Sequence, residues 1–124
     1  MPHVVFDKKI GLCDYSKKFF PIFQKKPLLI RISTIFIDKE NLAALLPTVL
    51  VSDIHQQYLI EIFTTQSKTT IILCSLTDPA KIYGVKSSIA LLANNIMKTY
   101  SNFLIQKSNL SKYLSVIANV SIYN

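Results

Sequence analysis

Glycine is nearly missing from this chain: 124 residues contain only Gly11 and Gly84. A loop that cradles phosphate with backbone amides needs closely spaced glycines, so the glycine-rich nucleotide-binding motifs are excluded. Cysteine is as scarce. Cys13 and Cys74 are too few and too isolated for a disulfide framework or a structural zinc site, and they read as the reduced thiols of a cytoplasmic protein. The only histidines, His3 and His55, make no metal constellation. Ser33, Ser87 and Ser88 have no His/Asp pattern around them, so a nucleophilic triad has no support. Long apolar runs are absent too. The best, residues 42–51, has half of the roughly 20 residues a membrane helix needs and contains Pro47. Asp7, Lys8 and Lys9 interrupt the first apolar stretch at once, which is not the pattern of a secretory signal.

What is present is apolar sequence in excess. Hydrophobic residues make up 50% of the chain and charged ones 17%, with a mean hydropathy of +0.34. One domain spanning residues 1–124 is the expectation at this length. So much apolar sequence in so small a domain implies surface buried between subunits, and a homo-oligomer is expected. The net charge of +7 suits attraction of small anions and also permits nucleic-acid binding. The lysines, however, come as pairs (Lys8-Lys9, Lys17-Lys18, Lys25-Lys26) with no RNA- or DNA-reading motif beside them. Nucleic acid is therefore the weaker partner expectation, and solvated faces the better reading of these lysines.

The pattern along the chain reads as strand, helix, strand, twice over. Residues 2–6 form a short apolar strand. Asp14 caps a helix over 14–24 carrying Tyr15, Phe19, Ile22 and Phe23, with Pro21 as an internal obstacle. Residues 28–37 are rich in β-branched side chains and predict a strand, with Ile30, Ile32, Thr34 and Phe36 on one face. The second unit has an alternating strand over 58–65 and a helix from Asp78-Pro79 to about Phe103, its stripe marked by Ile82, Val85, Ile89, Leu92 and Ile96. A closing strand over 114–123 alternates strictly. Residues 46–51 and 69–76 suggest extra hairpin strands. Two strand–helix–strand units imply parallel pairing by right-handed crossovers. The expected fold is α+β, a β-α-β pseudo-repeat making a four-stranded mixed sheet with two helices on one face.

Two residues stand out chemically. Removal of Met1 would leave Pro2 as a secondary amine, and an α-amino group titrates near about 7.7–8.0, lower when buried. Such a nitrogen is suited to moving a proton between carbon and oxygen. Against this, a proline also simply begins an edge strand where no donor is needed. Arg31 is the only arginine and sits in the middle of an apolar strand, where an unpaired cation is costly. It must meet a carboxylate: either Glu61, mid-strand in the second unit, or one carried by a ligand, which arginine's planar fork suits. Lys68, in the loop after the third main strand, is a candidate anion holder, with a solvated lysine as the plainer reading.

Met1-Pro2-His3 opening the first strand, Ile30-Arg31 in the second and Tyr58 opening the third resemble the tautomerase superfamily. Within it, the chain is most similar to the 5-carboxymethyl-2-hydroxymuconate isomerase branch. The long second helix and the 114–122 strand fall in the same order. The resemblance implies a cofactor- and metal-independent isomerase assembled as a homotrimer and acting on a small enolisable carboxylate. Pro2 would be the general base, and Arg31 and Lys68 would bind the anionic substrate. Ser33 stands where such relatives carry a second arginine, and their Gly-Arg-Ser loop is missing, with Lys68 in its place. The alternatives are a relative that lost catalysis and kept an assembly role, and a basic nucleic-acid-binding protein.

Overall fold

The computed structural model describes residues 1–80 and 82–116. The order of elements is β1 (His3–Phe6), α1 (Leu12–Lys18), β2 (Ile22–Gln24), β3 (Leu29–Ile32), β4 (Phe36–Ile37), β5 (Ala43–Val51), β6 (His55–Thr64), β7 (Thr69–Leu73), α2 (Tyr83–Thr99) and β8 (Ile105–Ser108). Residues 111–116 are helical. All eight strands belong to one sheet in the order β2-β3-β5-β6-β7-β1-β8, with β4 also on β5. The sheet curves as a half-barrel around α2.

The expected four-stranded mixed sheet with β-α-β repeats is corrected here: every strand pair is antiparallel. The physical reason lies in β5 and β7. Read from the sequence as optional hairpins, they are central strands, and the few residues linking β5 to β6 and β6 to β7 are long enough only for antiparallel return. Both β7 and β8 run antiparallel to β1, which lies between them. They therefore share a direction, and α2 carries the chain from one to the other over β1.

The strand expected over 28–37 is broken in two. Ser33 N–H donates to the Pro47 carbonyl at 3.2 Å, but Pro47 has no N–H to return the bond. The ladder β3 makes with β5 stops there, after the Ile32–Thr48 pair. It resumes at Phe36 opposite Leu45. The turn that follows uses Asn41 at φ 59, a left-handed conformation that asparagine tolerates. Asp38 Oδ1 accepts from the Leu42 and Ala43 amides at 2.9 and 3.3 Å and closes it.

Helix bounds shift for similar reasons. The first helix ends at Lys18 rather than 24: Pro21 removes a donor and forces the residue before it to be extended, so the chain re-emerges as the edge strand β2. The second begins at Tyr83, with residues 78–80 outside the helix, and ends at Thr99. β8 has no counterpart in the sequence reading. Its two central residues, Gln106 and Lys107, are exposed, so no alternation advertises it. The closing strand begins inside the helical residues 111–116; its remainder, 117–123, lies outside the described residues.

The core lies between α2 and the concave face. Ile30, Leu46, Leu50, Ile60, Ile62 and Ile71 point inward from four strands and are fully buried beneath Val85, Ile89, Leu92 and Ile96. Burying one such side chain completely contributes roughly 1.5–3 kcal/mol. Gly84 lets α2 approach: a Cβ there would stand 2.7 Å from both Leu50 methyls. Among the described residues no helix is long and apolar enough to cross a membrane.

Candidate functional site: the outer sheet face

Most polar groups on the helix-bearing side find partners within the chain; Gln56 accepts from the Ala80 amide at 2.8 Å through Oε1, while its buried Nε2 has no partner among the described residues. Ser88 Oγ donates to the Val85 carbonyl at 2.7 Å, which spends its one proton, so Tyr58 O–H is the donor across the 2.6 Å contact between the two hydroxyls. Burial pushes the Tyr58 phenol up to about 12. Tyr15 O–H donates to Asn95 Oδ1 at 2.5 Å, and burial raises its pKa further. Tyr100 O–H donates to Asp14 Oδ2 at 2.5 Å, with the Lys18 ammonium 3.1 Å from the same carboxylate oxygen. These two contacts hold the Asp14 carboxyl below the usual range. The Tyr100 phenol is raised, by desolvation first and by the Asp14 carboxylate second. Asp7 is lowered chiefly by the Leu104 amide, which donates to its Oδ1 at 3.0 Å, and also by Lys8. These contacts tie α1 and the approach to β8 to the rest of the fold.

The outer face is different. Leu45, Pro47 and Val49 of β5 and Leu59, Glu61 and Phe63 of β6 point away from α2 and are half-buried. Ile72 continues this surface on β7, and Phe36 of β4, 62% exposed, lies opposite Leu45. On β3, β5, β6 and β7 the only charged side chains are Arg31 and Glu61. Thirteen lysines remain once Arg31 is taken from the 14 basic residues, and none is on these four strands. Arg31 is exposed, opposite Val49 and Phe23. Glu61 lies between Leu45 and Ile72. It lines a groove of about 420 Å³ with Phe36, Asp38, Cys74 and Leu76 among the walls. Among the described residues no salt bridge joins Arg31 to Glu61, so the ion pair read as one option from the sequence does not form within the chain.

The three site residues expected from the sequence are not brought together. Pro2 is buried on the inward alternation of Val4 and Phe6. The Met1 carbonyl accepts from Asn109 Nδ2 at 2.9 Å. Arg31 lies four strand positions away, about 19 Å by strand spacing alone, on the opposite face. Lys68 is exposed in the β6–β7 turn, beside the Phe6 end of β1, since Phe6 pairs with Thr69. That is the far end of β1 from Pro2. Among the described residues no three of His, Cys, Asp and Glu converge as metal ligands.

The sequence reading offered Glu61 only as a partner for Arg31 and did not place it in a groove. Its alternation was legible: Tyr58, Ile60 and Ile62 go one way, so Glu61 goes the other, with Leu59 and Phe63. The groove beside it depends on β4 and on residues 74–76, which no periodicity reveals. No family model, curated protein or solved structure matches this chain.

Proposed function

We propose that this chain is a homomeric assembly module whose working surface is the outer sheet face, covered by a second copy of itself. The observation that carries this is the make-up of that face on β3, β5, β6 and β7: Leu45, Pro47, Val49, Leu59, Phe63 and Ile72 with Gln57 and Thr70 among them, no lysine, and one charge of each sign, Arg31 and Glu61. A face kept for solvent is normally studded with charge, and an apolar patch of this extent marks an interaction site. A polyanion would need cations here, and β3, β5, β6 and β7 offer only Arg31, with Lys107 out on β8 opposite Val5. A stable pair needs about 800 Å² buried per partner, and each apolar Å² removed from water contributes about 25 cal/mol. The proton-transfer reading gains no support from a single subunit, in which Pro2, Arg31 and Lys68 lie apart, whereas the assembly reading rests on a surface the subunit presents.

The test is sedimentation equilibrium over a wide concentration range, on the wild type and on Leu59→Lys. Leu59 points away from the core, so a lysine there is compatible with folding. The wild type is expected to dimerise and the variant to stay monomeric with an unchanged far-UV circular dichroism spectrum. A wild type that is monomeric at every concentration contradicts the proposal.

A further inference from the structure

We infer that the two copies meet about a two-fold axis through Pro47, with Arg31 of each seated against Glu61 of the other. This rests on the assembly reading above and adds the register. Cross-strand pairing fixes where the two charges lie. Arg31 is opposite Val49 on β5, and Glu61 is opposite Leu45 on the same strand. They flank β5 on its two sides, two strand spacings apart across the sheet and four residues apart along it. That is about 16 Å on standard strand geometry. The midpoint between the two charges is position 47 of β5, which pairs with Leu59.

Two sheets packed face to face are related by an axis lying between them and parallel to both. An axis that passes over Pro47 perpendicular to the Arg31–Glu61 diagonal exchanges the two positions. Arg31 of one copy then lies over Glu61 of the other, and the reverse contact forms by the same operation. This is the self-complementarity an isologous interface requires. The strands of the two copies cross at about 70°, nearer the orthogonal than the aligned class of sheet packing. Leu45, Val49 and Leu59 lie around the axis together with Gln57, which is opposite Val49; the water they displace strengthens the Coulomb attraction within each pair.

The occupant is fixed by both charges together. A small organic cation in the groove would meet Glu61 but leave Arg31 and the apolar ground around Pro47 uncovered. A second copy satisfies all three, because it presents a guanidinium amid apolar surface to a carboxylate amid apolar surface.

The experiment is charge reversal with rescue: Arg31→Glu, Glu61→Arg and the double variant, with dimer dissociation constants from sedimentation equilibrium. Each single reversal places like charges together and is expected to weaken the dimer at least about tenfold, and the double variant to return within about threefold of wild type. Rescue also rules out misfolding as the cause of the single-variant loss. Unaltered constants in the single variants, or no rescue in the double, overturn this register. If Leu59→Lys is nevertheless monomeric in those circumstances, the assembly reading stands without it. If Leu59→Lys also dimerises normally, both fall.

Discussion

Ile60 and Leu59 are neighbours on β6 with side chains of the same size, and they meet opposite surroundings. Ile60 is wholly buried beneath α2; Leu59, one peptide away, is half-buried on the outer face with no helix over it. The same division holds along β5, where Leu46 and Leu50 point in and Leu45 and Val49 point out. On the inner side hydroxyls and carboxylates are matched within the chain, as Tyr58–Ser88 and Tyr100–Asp14 show. On the outer side the two charges of the central strands, Arg31 and Glu61, form no salt bridge among the described residues. The inner face is closed over by α2; the outer face is not, and under the assembly reading proposed above a second copy would cover it.

Truncating that pair of neighbours breaks the comparison most sharply. Ile60→Ala leaves a cavity in the core and is expected to lose about 2–5 kcal/mol of unfolding free energy. Leu59→Ala, measured by urea unfolding in dilute protein, is expected to lose under about 1 kcal/mol. Equal losses would mean the outer face is core in the monomer. A smaller effect tests how tightly α2 sits. Gly84→Ala forces a methyl against Leu50, which is itself fully buried, and overpacking of this kind costs about 1–3 kcal/mol in the same measurement. A neutral result would show that α2 has room to shift.

The smallest effects come from pH. Asp7 and Asp14 titrate below the ordinary aspartate range in the folded chain. The unfolded state then binds more protons in that range, so their contribution is complete above the usual carboxylate pKa and is lost as pH falls through the folded values. Tyr15, Tyr58 and Tyr100 titrate above 10 when folded. Their contribution is complete below pH 10 and is lost as pH rises through the folded values. Acid and alkaline unfolding followed by circular dichroism, with tyrosinate absorbance at the alkaline end, should show both flanks. Tyrosinate appearing well before the loss of structure would contradict the alkaline one.

Alternation made much of the sheet legible in the sequence. The runs around Val4, Ile30, Ile60 and Ile71 are strands, and Val85 to Ile96 is a helix, because side-chain period follows burial. Pairing was not legible, since period 2 is the same in parallel and antiparallel ladders. Once β5 and β7 were read as optional, the helices were left to join parallel strands. Pro47 broke β3 from β4 by a backbone effect on the neighbouring strand, which no reading of residues 28–37 alone contains. At the site, the sequence marks Arg31 as a cation in an apolar strand that must meet a carboxylate, whereas the structure leaves it exposed to water. Glu61 was named as its partner within the chain, but contact between them depends on register, and register sets them diagonally apart.

Hydroxyl-radical footprinting across a dilution series tests the central claim most directly. Oxidation of Leu59 and Phe63 should fall as protein concentration rises through the dimerisation range, while Leu104, which is 63% exposed away from these strands, stays unchanged. Oxidation of Leu59 and Phe63 that is independent of concentration would contradict the claim that a second copy covers the outer face.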